Sequence, residues 1–232
     1  MTKKTFLGFT PGRFIFIAAS MPALVLCGLL TKQPWPETLL SVYSVIALMY
    51  LAEGKRAGPA CGMFYCLGYG SLFFSKQIYG LAVFNTLFGF PVYLGSLIAW
   101  GRHMRADEAA GGKTVKAKKL SPGGWALSLG ASAAGFAGVY LLLRALGSQG
   151  ALWDSMTLAF VAPGMVLLLL RYVENWVFNL VGSIVVLVLW IVNTMEDTAN
   201  LSFVLIAALQ ALTNAIGLAT WLRLERKEAA HA

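Results

Sequence analysis

The stretch Asn175-Trp-Val-Phe-Asn179-Leu-Val-Gly-Ser183-Ile-Val-Val-Leu-Val-Leu-Trp190-Ile-Val-Asn193 contains no charged residue. A bilayer core about 30 Å thick is crossed by about 20 apolar residues in a helix, and this stretch has that length and texture. Its polar residues are not scattered. At about 100° per residue, Trp176, Asn179, Ser183 and Trp190 share one narrow stripe, while Val, Leu and Ile cover the rest of the surface. Such a helix is apolar toward lipid and polar toward something inside.

The same texture runs outward in both directions. Further apolar segments cover Phe14 to Leu30, Thr38 to Ala52, Ala60 to Phe74, Leu81 to Trp100, Pro122 to Leu143, Trp153 to Leu170 and Leu201 to Leu222. The second and third are short and need flanking residues to span. The chain of 232 residues is 58% hydrophobic and 12% charged, with mean hydropathy +0.71. That charged share is about half that of a soluble domain, which excludes a cytosolic enzyme, a secreted domain and a disordered chain. The expectation is an all-α integral membrane protein with eight transmembrane helices. The first segment is read as a retained helix, because no small-residue cleavage pattern follows it at Leu30-Thr31-Lys32.

Net charge of +8 could indicate nucleic acid, but here the cations lie between apolar runs, a loop pattern with no nucleic-acid partner. Sorting Lys and Arg by side gives Lys3, Lys4, Arg13, Lys55, Arg56, Arg102, Arg105, Lys113, Lys116, Lys118, Lys119, Arg171, Arg223, Arg226 and Lys227 against Lys32, Lys76 and Arg144. Short cytoplasmic loops are the basic ones, so both termini are expected in the cytoplasm and the span count is even. The 101–121 loop reads as a flexible basic linker and lipid anchor. Its Gly112-Lys113-Thr114 imitates the end of a phosphate-binding loop, yet Asp107 occupies the place of the required upstream glycine.

Setting the first segment aside leaves three, one and three. The expected division is an extra N-terminal helix within 1–37, a three-helix repeat in 38–100, the loop 101–121, a linker helix in 122–144, a second repeat in 145–222 and a cytoplasmic tail in 223–232. One intervening span makes the triplets parallel repeats about an axis along the membrane normal. Both triplets close alike, with Gly95-Ser-Leu-Ile-Ala-Trp100 and Gly217-Leu-Ala-Thr-Trp221, although tryptophans at these depths also fit an interfacial belt. The linker helix, rich in Gly and Ala, is expected to allow close helix contact and to line nothing.

All ten carboxylates, Glu37, Glu53, Asp107, Glu108, Asp154, Glu174, Glu196, Asp197, Glu225 and Glu228, fall outside the spans or at their ends, as do His103 and His231. Proton-coupled carriers and membrane enzymes both need an ionisable group at depth, so uncoupled movement of a solute is the better reading, with no catalytic residue. Cys27, Cys61 and Cys66 form no metal-binding spacing and read as small core residues. Nothing calls for a cofactor or metal. Inside the spans lie amides, hydroxyls and indoles. On the last helix Gln210, Asn214, Gly217 and Trp221 share a stripe, and Asn85 stands in the corresponding helix of the first triplet. Indoles can stack on a flat heteroaromatic solute while Asn and Gln satisfy its hydrogen bonds. The candidate binding set is therefore Asn85, Trp176, Asn179, Ser183, Trp190, Gln210 and Asn214. The bland alternative is that these amides only join helices. Pro91 and Pro163 interrupt the backbone ladder within spans, as kinks or hinges.

From about Thr38 to Trp221 the chain resembles the PnuC-type vitamin transporters of bacteria. The pieces that carry the likeness are Tyr79-Gly80, Gly95 with Trp100, Trp153-Asp154-Ser155, Arg171 with Glu174-Asn175-Trp176, and Gly217 with Trp221. The resemblance implies a fold like that of the SWEET sugar transporters, in the bacterial inner membrane. It implies facilitated diffusion of nicotinamide riboside, a cytosolic kinase that traps the product, an extra first helix and a homotrimer. One departure bears on cargo. The family typically shows Glu-x-Trp-x-x-Trp and then Asn, whereas here Glu174 and Trp176 are followed by Asn179 and Ser183, and Asn85 stands where Gln is frequent. Thiamine, riboflavin or a nucleoside therefore stays open as cargo. From other classes, a scaffold or receptor without transport stays open, and a channel is disfavoured because no ring of charges is available.

Overall fold

A computed structural model describes residues 9–75, 79–107, 112–147, 151–196 and 201–230. Lys3, Lys4, Lys76, Glu108, Asp197 and His231 lie outside the described residues. The helices in chain order are α1 (Pro11–Leu30), α2 (Trp35–Ala52), α3 (Ala57–Ser75), α4 (Tyr79–Val83), a π-helical turn (Phe84–Gly89), α5 (Phe90–Gly101), α6 (Pro122–Ala145), α7 (Ala151–Leu169), α8 (Asn175–Glu196) and α9 (Leu201–Ala229). Since α4, the π turn and α5 run on without a break, every expected apolar segment is helical. Seven of the resulting spans among the described residues are long and apolar enough to cross a membrane. The α3 helix falls outside that set, because Gly58, Gly62, Gly68, Gly70, Tyr65 and Tyr69 dilute its apolar content.

Helix starts follow from local chemistry. Pro11 and Pro122 occupy the first turns of α1 and α6, where the missing N–H costs nothing, and the Ser121 hydroxyl accepts the Gly124 N–H at 3.2 Å. Pro91 has the opposite effect. It cannot donate to the carbonyl four residues back, and the chain absorbs this by widening the preceding turn, so that the Phe90 N–H donates to the Asn85 carbonyl.

The α2 helix packs on α3 and α9, α3 on α5, α7 on α5 and α8, and α8 on α9, while α1 lies against α2 and α9. The first helix of each expected triplet thus touches the last helix of the other. The α1 helix is fixed by Arg13, whose guanidinium meets Glu53 at 3.1 Å and Thr220 Oγ1 at 3.1 Å. The α6 helix packs on α7 and leaves most of its surface exposed. Its Gly130, Gly135 and Gly138 have no neighbour within 4 Å of where a Cβ would stand, so these glycines make no close helix contact. Leu26, Leu30, Leu127, Leu141 and Leu142 also point outward, as a lipid solvent permits.

Two regions differ from expectation. The last helix continues to Ala229, so the stretch taken as a tail is largely helical. The basic loop is not a loose linker among its described residues. Met104–Asp107 (β1) and Gly112–Val115 (β2) form an antiparallel hairpin. From Val115, the last residue of β2, the chain continues to Lys118 as an extended strap, with Val115 2% and Ala117 5% exposed. High Lys and Gly content suggested flexibility, but the strap is held by main-chain hydrogen bonds, which composition does not register.

Candidate functional site

A cavity of about 360 Å³ opens between the helices, lined from α2, α3, the α4–π–α5 segment, α7, α8 and α9. Neither α1 nor α6 contributes a lining residue. Five of the seven sequence candidates line it, namely Asn85, Asn179, Ser183, Gln210 and Asn214. Asn214 Nδ2 donates to the Asn179 carbonyl at 3.0 Å and to Ser183 Oγ at 3.2 Å, tying α9 to α8. The Ser183 hydroxyl donates to the Leu180 carbonyl at 2.8 Å, and Asn179 Nδ2 to the Asn175 carbonyl at 2.8 Å. In the π turn, Asn85 Nδ2 donates to the Leu81 carbonyl at 2.8 Å. Asn85, Asn179 and Asn214 thus each direct an amide N–H to a helix carbonyl. Asn214 Oδ1 is buried with no partner among the described residues. The side-chain oxygens keep capacity for a ligand's N–H or O–H groups. No side-chain hydrogen bond ties Gln210 to other described residues.

The lining from α3, the π turn and α5 is rich in rings. Tyr65 and Phe73 on α3, Phe84 in the π turn and Tyr93 on α5 supply them. Tyr69 bridges the first two, its ring centroid 4.6 Å from Tyr65 and 5.6 Å from Phe73. Tyr93 lies so close to Gly62 that a Cβ there would come within 2.5 Å of the ring, so glycine sets the approach of α5 to α3. In the sequence these rings read as bulk apolar content. The i, i+4, i+8 spacing of Tyr65, Tyr69 and Phe73 was the available signal. Ser44 and Cys66 complete this side. Among the described residues no Lys, Arg, His, Asp or Glu lines the cavity. Among the described residues no cluster of His, Cys, Asp and Glu could hold a metal.

Trp176 and Trp190 lie elsewhere. Trp190 stacks on Phe203 at 4.3 Å, its ring half-buried. Trp176 lies toward the strap end, 1% exposed, edge-on to Trp221 at 5.9 Å, which in turn lies 5.3 Å from Trp100. Gly217 makes room, since a Cβ there would overlap the Trp176 ring. Trp100 and Trp221 are both 0% exposed, which overturns the interfacial-belt reading of the pair. The Trp100 indole N–H donates to the Leu168 carbonyl at 3.2 Å, and that of Trp221 to the Leu51 carbonyl at 3.2 Å. Around the trio Met49, Leu51, Ala52, Leu168, Val173 and Leu224 form a dense apolar core with the strap residues Val115 and Ala117. This core is the floor below the cavity. Beyond it, burial lowers the pKa of the Arg171 guanidinium, partly countered by Tyr172 and Glu228. Glu174 Oε2 accepts the Leu120 N–H at 3.1 Å.

Residues 34–223 match the family described as nicotinamide mononucleotide transporter. The chain is 24% identical over 226 residues to a nicotinamide riboside transporter PnuC of Neisseria mucosa, covering 97% of this chain and 86% of that protein. It is 22% identical over 187 residues to a nicotinamide riboside transporter PnuC of Haemophilus influenzae, covering 79% and 80%. Its fold matches a crystal structure of the vitamin B3 transporter PnuC with a TM-score of 0.82 at 24% identity, over 96% of this chain and 95% of the other. These relatives are membrane transporters, not enzymes, and the resemblance read from the sequence holds. With the family match extending from Pro34 to Arg223, the chain belongs to the nicotinamide mononucleotide transporter family.

Proposed function

We propose that the protein takes up nicotinamide riboside across the bacterial inner membrane by facilitated diffusion. The observation that carries this reading is the cavity between the helix triplets, whose lining combines amide and hydroxyl oxygens with aromatic rings and, among the described residues, carries no charge. A pyridinium ring can lie on the aromatic wall through its π face and charge. Its carboxamide and ribose hydroxyls are donors suited to Asn85, Asn179, Gln210 and Asn214. With Ser183 these residues are assigned to the substrate, whereas Trp176 supports the floor and Trp190 packs against Phe203. The uncharged lining supports uncoupled movement, and a cytosolic kinase acting on the product then gives net uptake. Assembly as a homotrimer is part of the same proposal.

The repeat plan has its own support. Trp100 and Trp221 make reciprocal bonds between triplets, and α2 and α7 each end in a left-handed residue, Gly54 at φ 64° and Arg171 at φ 68°. We therefore read α2 to α5 and α7 to α9 as parallel triplets, α6 as the spacer and α1 as an added helix, eight spans in all. Arg13, Lys55, Arg56, Arg102, Lys113, Lys116, Lys118, Lys119, Arg171 and Arg223 belong to the strap end, and Lys32 and Arg144 to the other. The strap end is accordingly assigned to the cytoplasm, with both termini there.

Counterflow in proteoliposomes tests the function, with thermal shift of the purified protein as the binding readout. Nicotinamide riboside is expected to raise the melting temperature and to exchange across the membrane. The departures at Asn179 and Ser183 lie in the cavity wall, so thiamine, riboflavin and nucleosides belong in the panel. Stabilisation by one of these alone would reassign the cargo. No counterflow for any member would leave a non-transporting scaffold or receptor.

A further inference from the structure

A carrier that releases its solute inward must part the contacts joining its two halves below the binding site. The two indole bonds are such contacts. A third set comes from the strap. The Val115 N–H donates to the Gly54 carbonyl at 2.9 Å, at the end of α2, and the Lys118 N–H donates to the Arg171 carbonyl at 2.8 Å, at the end of α7. Both acceptors are the left-handed residues that end the first helix of each triplet, which turns their carbonyls out of the helix to meet the strap. The Val173 N–H returns to the Lys118 carbonyl at 2.8 Å, and Arg171 Nη1 reaches the Lys116 carbonyl at 3.4 Å. The Lys116 N–H donates to the His103 carbonyl at 2.9 Å, adding the end of α5.

From Val115 to Lys118 is three residues, roughly 10 Å of extended chain. So short a segment has no slack. The ends of α2 and α7 cannot separate by a few ångströms while both bonds persist. Val115 is 2% exposed, and the Val115 Cγ1 and Leu224 Cδ1 methyls lie 3.1 Å and 3.0 Å from where a Gly54 Cβ would stand, so the strap is packed as well as bonded.

We propose that the Val115 to Lys118 strap is the latch of the inner gate. It holds the cytoplasmic ends of the triplets together over the tryptophan floor, and one of its two anchorages is released in each inward opening. This rests on the transport reading and orientation given above.

The test uses the full chain carrying Cys27→Ala and Cys61→Ala, so that Cys66 in the cavity is the remaining native thiol. A membrane-impermeant methanethiosulfonate is applied to inside-out and right-side-out vesicles. Lys118→Pro deletes the N–H to Arg171, and Val115→Asp puts a charge into the apolar seat, giving two independent ways to free the strap. Both variants are expected to label Cys66 from the inner face about tenfold faster, with outer-face labelling unchanged or slower. Hydrogen exchange of the unsubstituted protein adds a readout without substitutions. At least one of the Val115 and Lys118 amides is expected to lose protection when nicotinamide riboside drives exchange. Monodisperse variants with unchanged inner-face labelling, or protection of both amides throughout measured counterflow, would overturn the latch. Loss of the transport reading would look different, with no counterflow in the unsubstituted protein whatever the strap variants do.

Discussion

Trp100 and Trp221 mirror each other across the molecule, one giving its indole N–H to Leu168 at the end of α7 and the other to Leu51 at the end of α2, each at 3.2 Å. The rings also touch, 5.3 Å apart. Replacing either by Phe removes one buried donor and leaves space beside a smaller ring, while the acceptor keeps a main-chain bond, Leu168 from the Arg171 N–H at 3.0 Å and Leu51 from the Gly54 N–H at 2.9 Å. Each single variant should lose about 1 to 3 kcal/mol, from the lost hydrogen bond together with the space the smaller ring leaves. Because the rings share a contact, the double variant should depart from the sum of the singles. Chemical denaturation of the purified protein in detergent checks both statements.

Gln210 and Asn214 separate binding from folding. Gln210 lines the cavity without a side-chain hydrogen bond among the described residues, whereas Asn214 bonds the Asn179 carbonyl and Ser183. Gln210→Leu should weaken nicotinamide riboside binding about tenfold, the equivalent of one lost hydrogen bond, with an unchanged ligand-free melting temperature. Asn214→Leu should lower both. Equal losses of stability in the two variants with binding intact would mean that these amides only join helices.

Helical periodicity made the amides legible, because residues three and four apart share a face whatever the tertiary fold. It gave direction but not depth. Trp176 lies three residues, about 4.5 Å of helix, toward the strap from Asn179, far enough to leave the cavity for its floor. Trp190 lies seven residues past Ser183 and meets Phe203 instead. The aromatic wall was hidden for another reason. In segments that are apolar all round, Tyr65 and Tyr93 give no contrast against their neighbours, and their role depends on Gly62 letting α5 approach. The strap was illegible because its anchors are main-chain atoms. The π turn at Asn85 had a visible cause in Pro91, but which turn would widen depends on the packing of α5 on α3.

Glycine at two positions should behave in opposite ways. A Cβ at Gly217 would run into the Trp176 ring, which is itself held against Trp221. Gly217→Ala should therefore destabilise by about 1 to 3 kcal/mol through overpacking. Gly130 on α6 has open space around it, so Gly130→Ala should be neutral or gain about 0.5 to 1 kcal/mol from helix propensity. Paired melting curves decide, and a destabilised Gly130→Ala would show that this face of α6 is covered in the assembled protein.

Among the described residues the cavity lining holds amides, hydroxyls, a thiol and rings but no Asp, Glu, His, Lys or Arg. A carrier coupled to protons must bind and release one along the path, and its rate then follows the titration of that group. Without such a group the substrate gradient is the driving force, and nicotinamide riboside keeps its pyridinium charge across this range. Counterflow should therefore vary less than about twofold between about pH 6 and 8, the window in which an unperturbed histidine would change charge. Collapsing a pH gradient with a protonophore should leave the initial rate unchanged when no membrane potential is imposed. A steep fall on one side of that window would place an ionisable group on the path and overturn the uncoupled reading. Glu37, 6% exposed in the first turn of α2, would then be the first carboxylate to replace by Gln.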